Sequence, residues 1–296
     1  MGLPVTIVDT VRGLGCVQPT PFQASAVPLL RDKHDLLGQT PNDPANVAAY
    51  ALPIIESILS DGPSYGPTAL ILVPSRELAI QVHEDVFQLS ARGTAARVLG
   101  LFEGKPLTSQ IGPLKHGVDI VIGTPGRVME HVKRKTLRIE QLKILVFDRA
   151  DEILNTGASR DVASILDETP KTRQTVLFSA TTPPRILNLA HKHLRDPELV
   201  GITATDFESV EPQEAPSTSV VNIYFGAGKG GGVTPRDLVG VITNEGGLEG
   251  EQIGAISIRQ NFSLVAVPED CAKGLVSSLK SSLVRGRKVK IRLERF

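Results

Sequence analysis

Four short apolar runs mark the first two hundred residues: ALILV at 69–73, VDIVI at 118–122, ILVF at 144–147 and TVLF at 175–178. Runs of this length with few polar interruptions predict strands buried on both faces. Between them the period changes. SRELAIQVHEDVFQLSA (75–91) and PGRVMEHVKR (125–134) repeat apolar positions every three or four residues and predict amphipathic helices. Strands alternating with helices predict βαβ units around a parallel sheet, continuing to about Ile202. Residues 206–219, DFESVEPQEAPSTS, are polar, carry Pro212 and Pro216, and predict a linker.

The rhythm then differs. VNIYF (221–225), IGAISIR (253–259), FSLVAV (262–267) and KVKIRL (288–293) predict strands, while TPRDLVGVITN (234–244) and CAKGLVSSLKSSL (271–283) predict helices. The order βαββαβ predicts a small α+β domain of the ferredoxin-like, RRM-like kind used by RNA-recognition folds. The chain therefore predicts two domains, 1–205 and 220–296, joined by 206–219.

Composition supports two cores. The chain has 296 residues and 41% hydrophobic content, which excludes a disordered polar chain. Lys plus Arg equals Asp plus Glu at 32 each, so the total charge favours no partner. Its distribution is uneven: from Val220 onward 11 basic residues face 7 acidic ones, and the acidic balance lies before that. A basic C-terminal part predicts a polyanion partner, beside the plainer reading of ordinary surface charge. Cys16 and Cys271 are far apart, with no CxxC or Cys/His cluster, so no metal site is expected and a reducing, cytoplasmic setting is. MGLPVTIVDTV lacks a charged region followed by a long apolar run, so no secretory leader is expected, and no 18-residue apolar run predicts a membrane span.

The apolar run at 144–147 ends in Asp148. In nucleotide-hydrolysing α/β folds that place belongs to an acid holding magnesium. The next position, where a carboxylate would assist attack by water, is Arg149.

Five short motifs occur in order: PTPFQ (19–23), PSRELA (74–79), TPGR (124–127), DRAD (148–151) and SAT (179–181). Through them the first 205 residues resemble the first RecA-like domain of a DEAD-box RNA helicase, a fold of the P-loop NTPase type. The stretches IYFGAGKGGGVTPRDLVGVI (223–242), IGAISI (253–258) and GRKVKIRL (286–293) resemble the C-terminal RNA-binding domain of the DbpA/YxiN subgroup of those helicases.

The resemblance implies a phosphate loop between residues 39 and 48, built on glycines, a lysine and a hydroxyl. The chain has TPNDPANV there, with Asn46 at the lysine's place and Val47 at the hydroxyl's; Pro41 and Pro44 each lack an N–H. Asp43-Pro44 predicts the cap and first residue of the following helix, with the Asp43 carboxylate at a helix end that would otherwise favour an anion. Cys16 stands at an aromatic position of the adenine-reading segment, while Gln23 is kept. No HRIGRxxR or ARGxD motif of a second RecA-like domain occurs, and the arginine such a domain supplies is worth roughly 10³–10⁵ in rate. Gln23, Asn46, Val47, Asp148 and Arg149 are thus expected remnants of a nucleotide site, and the chain is expected to be a pseudo-helicase with no cofactor and no small-molecule substrate.

For RNA, the resemblance implies backbone contacts from Ser75, Arg76, Thr124, Gly126 and Arg127. Gly104 keeps one glycine of a paired-glycine motif and Glu103 replaces the other, with a charge that weakens binding. Ser179 and Thr181 are expected to bond Asp151. In the second domain, strand alternation puts Tyr224 and Phe262 on one face, a partial stacking platform with Leu264 at a usually aromatic place. Lys229, Arg259, Arg285, Arg287, Lys288, Lys290 and Arg292 supply charge around it. The expected function is non-catalytic binding of structured ribosomal RNA in ribosome assembly. The alternatives are an active ATP-dependent RNA helicase and a scaffold that docks a protein partner.

Overall fold

The computed structural model describes residues 4–13, 18–61, 66–91, 96–208, 220–248, 253–254, 256–279 and 282–294. Cys16 lies outside them. The chain divides into two compact units, Met1–Pro212 and Gln213–Phe296.

In the first unit the strands are β1 (Leu36–Gln39), β2 (Ala69–Leu72), β3 (Val98–Leu101), β4 (Ile120–Gly123), β5 (Ile144–Asp148), β6 (Gln174–Ser179) and β7 (Glu198–Val200). They pair in parallel in the order β3-β4-β2-β5-β6-β1-β7. The helices are α1 (Val5–Gly13), α2 (Pro21–Arg31), α3 (Asn46–Asp61), α4 (Arg76–Ala91), α5 (Leu107–His116), α6 (Pro125–Lys133), α7 (Ala150–Asn155), α8 (Ser159–Glu168), α9 (Pro184–His193) and α10 (Ala204–Glu208).

Alternation along each strand explains the layers. Leu36, Ile71, Val146, Val176 and Phe178 pack with apolar residues of α1 to α4. Leu37, Leu70, Leu72, Leu145, Phe147 and Leu177 pack on the other side with residues of α6 to α9. Both faces are buried, so the strands read as unbroken apolar runs. This is the α/β RecA-like architecture that the sequence predicts. Strands β1, β3 and β7 were not among the predicted runs: β1 contains Gly38 and Gln39, and β3 and β7 are half-exposed edge strands.

The N-terminal end of the sheet is tied by Asp35, which is 3% exposed. Its carboxylate accepts from the Thr175 N–H at 2.8 Å and the Arg195 N–H at 2.7 Å. One side chain thus joins β1, β6 and the approach to β7.

The second unit contains β8 (Val220–Phe225), a 3₁₀ turn at Lys229–Gly231, α11 (Pro235–Asn244), β9 (Ile256–Ile258), β10 (Ser263–Pro268), α12 (Glu269–Ser278), β11 (Leu283–Val284), β12 (Arg287–Lys288) and β13 (Ile291–Leu293). A four-stranded antiparallel sheet runs β13-β8-β10-β9, and β11 pairs with β12 alone. The helices cover one face through Leu238, Ile242, Ala272 and Leu275, which meet Ile223, Phe225, Val265 and Val267. Two spans differ from the prediction. The helix predicted over 271–283 ends at Ser278. The strand predicted over 288–293 begins as half of a tight hairpin, because Arg285 and Gly286 both take positive φ (53° and 74°) and turn the chain.

Two predictions follow from this packing. Asp35→Ala removes the carboxylate acceptor from two backbone donors, the buried Thr175 N–H and the part-buried Arg195 N–H, and lowers the unfolding free energy by about 1.5–3 kcal/mol, read by urea titration. Separately, burial lowers the pKa of His83, His131 and His193, the last to about 4 with Lys192 adding to it. An unfolded histidine titrates near 6.5, so the unfolded chain takes up protons first as the pH drops. This contribution to stability is complete above pH 6.5 and is lost between pH 6.5 and about 4; the raised Asp85 and Asp148 oppose the loss at the acid end. Melting temperature falls across that window, and His193→Gln makes the fall shallower.

Candidate nucleic-acid interface

In an open parallel sheet, functional loops gather beyond the carboxyl ends of the strands. The strand order sorts them. Loops after β3, β4 and β2 lie side by side at one end; loops after β5, β6 and β1 lie at the other.

The first group carries the motif residues expected to meet RNA. Ser75 caps α4, its hydroxyl accepting from the Leu78 N–H at 3.2 Å. Arg76, exposed at the start of α4, reaches over the loop after β3. Its guanidinium lies 6.0 Å from the Phe102 ring centre and fills the space where a Cβ on Gly104 would stand. Gly104 has φ +87°, a left-handed conformation that favours glycine. Lys105, which sequence reasoning missed, lies 5.3 Å from the other aspect of the same ring. Thr124 precedes α6 but does not cap it; its hydroxyl donates to the Glu103 carboxylate at 2.7 Å. Arg127 is half-buried and donates from Nη1 to the Lys105 carbonyl and to Gln110 Oε1, both at 3.1 Å. Gln110 donates its amide to the Phe102 carbonyl, so its Oε1 also accepts from His131 Nε2 at 3.0 Å. Burial, then the nearby Arg127, lowers the pKa of that histidine. The network fixes Arg127 at the loop after β3.

The second group holds the expected nucleotide-site remnants. Gln23 completes a capping box on α2 with Thr20, and its amide donates to the Ala45 carbonyl at 2.6 Å. Asn46 donates to the Pro41 carbonyl at 2.7 Å and accepts from the Thr40 hydroxyl at 3.2 Å. Val47 is buried in the core. The helix begins at Asn46, two residues later than the Asp43-Pro44 pattern predicts. The Asp43 carboxylate accepts from the Ala45 N–H at 2.8 Å, closing a turn ahead of the helix. Asp148 accepts from the Tyr50 hydroxyl at 2.8 Å, and burial pushes both pKa values up. Arg149 takes a left-handed backbone (φ 60°) and lies 3.8 Å from Glu152, which also accepts from Asn42 at 2.7 Å. Thr181 donates to Asp151 from its N–H and its hydroxyl at 3.1 and 2.7 Å; the Ser179 hydroxyl donates to the Thr181 carbonyl at 2.6 Å. The fold family implies a magnesium–nucleotide here. As the side chains stand, Asn46 is spent on Pro41, Val47 is apolar and Tyr50 holds Asp148. In this arrangement they do not form a triphosphate cradle.

In the second unit the helices leave one sheet face uncovered. Tyr224 pairs with Leu264 on β10 and with Arg292 on β13. The Phe262 and Tyr224 rings stack with centroids 5.4 Å apart and planes at 21°, and the Arg292 guanidinium lies 4.5 Å from the Tyr224 centroid. A glycine-rich loop positions Phe262. A Cβ on Gly228 would meet the Arg259 carbonyl at 2.2 Å and the Phe262 nitrogen at 2.7 Å, so only glycine lets these chains approach. The loop's N–H groups are used internally: Lys229 donates to the Arg259 carbonyl and Gly230 to that of Gln260, both at 2.8 Å. The basic residues divide. Arg292 belongs to the stacked row, while Lys290 lies between β12 and β13. Lys229 lies within the glycine loop, and the Arg259 carbonyl is bonded to it. Arg285 reaches the Gly232 carbonyl from the hairpin turn, and Arg287 and Lys288 form β12. Among the described residues no helix is long and apolar enough to cross a membrane.

Comparison with known proteins gives the frame. The family described as "DEAD/DEAH box helicase" matches residues 20–189, and "DbpA RNA binding domain" matches residues 222–293. "ATP-dependent RNA helicase CshA" of Listeria monocytogenes is 41% identical over 209 residues, 71% of this chain and 40% of that protein. "DEAD-box ATP-dependent RNA helicase CshA" of Geobacillus kaustophilus is 37% identical over 206 residues, 70% of this chain and 44% of that protein. The chain thus spans less than half the length of these relatives. A crystal structure of a DEAD box protein from the hyperthermophile Methanococcus jannaschii superposes with TM-score 0.64 at 35% identity, covering 70% of this chain and 56% of that one. The expectation that the chain is no enzyme is corrected here: relatives at 34–41% identity are named ATP-dependent RNA helicases, which are enzymes. Family, fold and motif order agree, and the chain belongs to the DEAD/DEAH box helicase family, with a DbpA RNA-binding domain following its helicase domain.

Proposed function

We propose that this chain handles RNA in the manner of an ATP-dependent RNA helicase. The DbpA-type domain captures RNA on its uncovered sheet face, and the helicase domain meets the RNA backbone along Ser75, Arg76, Lys105, Thr124, Gly126 and Arg127. The observation that carries the reading is the stacked pair Tyr224–Phe262 with Arg292 over Tyr224. Two near-parallel stacked rings beside a guanidinium suit an unpaired base and its phosphate. The ATP-dependent activity is supported by the relatives' names and not by Asn46, Val47 and Asp148 as their side chains stand, so the hydrolysis measurement decides it. The target class is structured ribosomal RNA, resting on likeness to the DbpA-type domain, and the setting is the cytosol, resting on two cysteines far apart in the sequence. RNA-stimulated ATP hydrolysis and duplex unwinding by the full chain test the helicase part. Activity above background supports it; RNA binding with no RNA-dependent hydrolysis confines the function to RNA binding.

Binding to a single-stranded RNA, followed by fluorescence anisotropy, tests the platform. Tyr224→Ala and Phe262→Ala each weaken binding by about 1–3 kcal/mol with the salt dependence unchanged. Lys290→Ala lowers the log–log salt slope by less than one unit. If the basic residues of the second domain neutralise about four phosphates, the wild-type slope is about −3; a slope near zero rejects phosphate contact as the source of affinity.

A further inference from the structure

We propose that Glu103 is an affinity-setting residue that occupies, with its own carboxylate, the place an RNA phosphate takes on the helicase domain. The inference rests on the RNA-backbone edge proposed above.

Three observations carry it. Glu103 Oε2 accepts the Thr124 hydroxyl at 2.7 Å, and Thr124 is only 7% exposed. An incoming phosphate oxygen reaches that hydroxyl only if Glu103 moves. Next, Glu103 Oε1 lies 3.5 Å from the Cβ position of Gly126, over the first turn of α6. A negative charge is therefore held where the helix end favours one and where the Thr124 hydroxyl can donate to it, the chemistry a phosphate oxygen would use. Finally, cations surround the place without neutralising Glu103. Arg76 and Lys105 lean on Phe102 and enter no ion pair among the described residues, and Arg127 is turned to Lys105, Gln110 and Glu130.

The arrangement has a direction. Bound RNA must displace Glu103 from Thr124 and place a phosphate near a carboxylate. Asp161 Oδ2, 3.6 Å from the same Gly126 position, adds a second negative charge. The cationic side chains attract RNA while the carboxylate holds the hydroxyl, so the helicase domain binds RNA weakly until Glu103 swings out. Glu103 itself is exposed, and its loss leaves the core untouched.

The test is a charge series in the full chain: Glu103→Asp, Glu103→Gln and Glu103→Lys. Each is made in wild type and in a Tyr224→Ala/Phe262→Ala background, where the helicase domain supplies more of the affinity. Glutamine can still accept from Thr124 through its amide oxygen, so Glu103→Gln removes charge and little else. The probe is a single-stranded RNA, read by anisotropy across a salt series. Glu103→Gln binds about three- to tenfold tighter, with a slope steeper by less than one unit. Glu103→Lys binds tighter still, and Glu103→Asp stays near wild type. Equal affinity across the series, with wild type still binding RNA, overturns the role of Glu103 and leaves the proposed function standing. Failure of wild type to bind RNA rejects both.

Discussion

A seven-stranded parallel sheet buried on both faces leaves a chain few places to do chemistry. Leu36 against Leu37 and Val146 against Phe147 point to opposite cores, so neither face can carry a polar site. What remains is the edge where the strands end. There the strand order, not the chain order, decides which loops meet. The β3 and β4 loops, 21 residues apart at Glu103 and Thr124, touch; so do the helix after the β1 loop and the end of β5, 98 residues apart at Tyr50 and Asp148. The polar features of both loop groups at that edge descend from this constraint.

The second unit solves the same problem differently. Its antiparallel sheet is covered on one face by α11 and α12, and among the described residues no helix of this unit covers the other. Residues of even number on β8 and β10 face outward, which puts Tyr224 and Leu264 on that surface with Phe262 just beyond the strand end. The two units divide the proposed labour: stacking and charge in the second, a hydroxyl-and-cation edge in the first. Glu103 sets how strongly that edge takes part.

The predicted strands at 69–73, 144–147 and 175–178 were legible because burial on both faces demands unbroken apolar runs. Strands β3 and β7 were not, because edge strands need be apolar on less of their surface and β3 contains Gly100. The hairpin that ends at the first residue of KVKIRL had a signal, the Arg285-Gly286 dipeptide, outweighed by the alternation that follows it. In the site, the Tyr224–Phe262 pairing was legible from alternation alone. The Thr124–Glu103 and Tyr50–Asp148 bonds were not, since spacing along the chain says nothing about which strand ends lie side by side. Tyr50 sits in the apolar run of α3 and reads as core, which it also is.

The most direct measurement is ultraviolet crosslinking of the full chain to a single-stranded RNA, with the modified residues mapped by mass spectrometry. The account predicts crosslinks at Tyr224 and Phe262, where rings and bases would stack. Crosslinks confined to the Arg285–Lys288 hairpin, with the Tyr224 and Phe262 peptides unmodified, would contradict it.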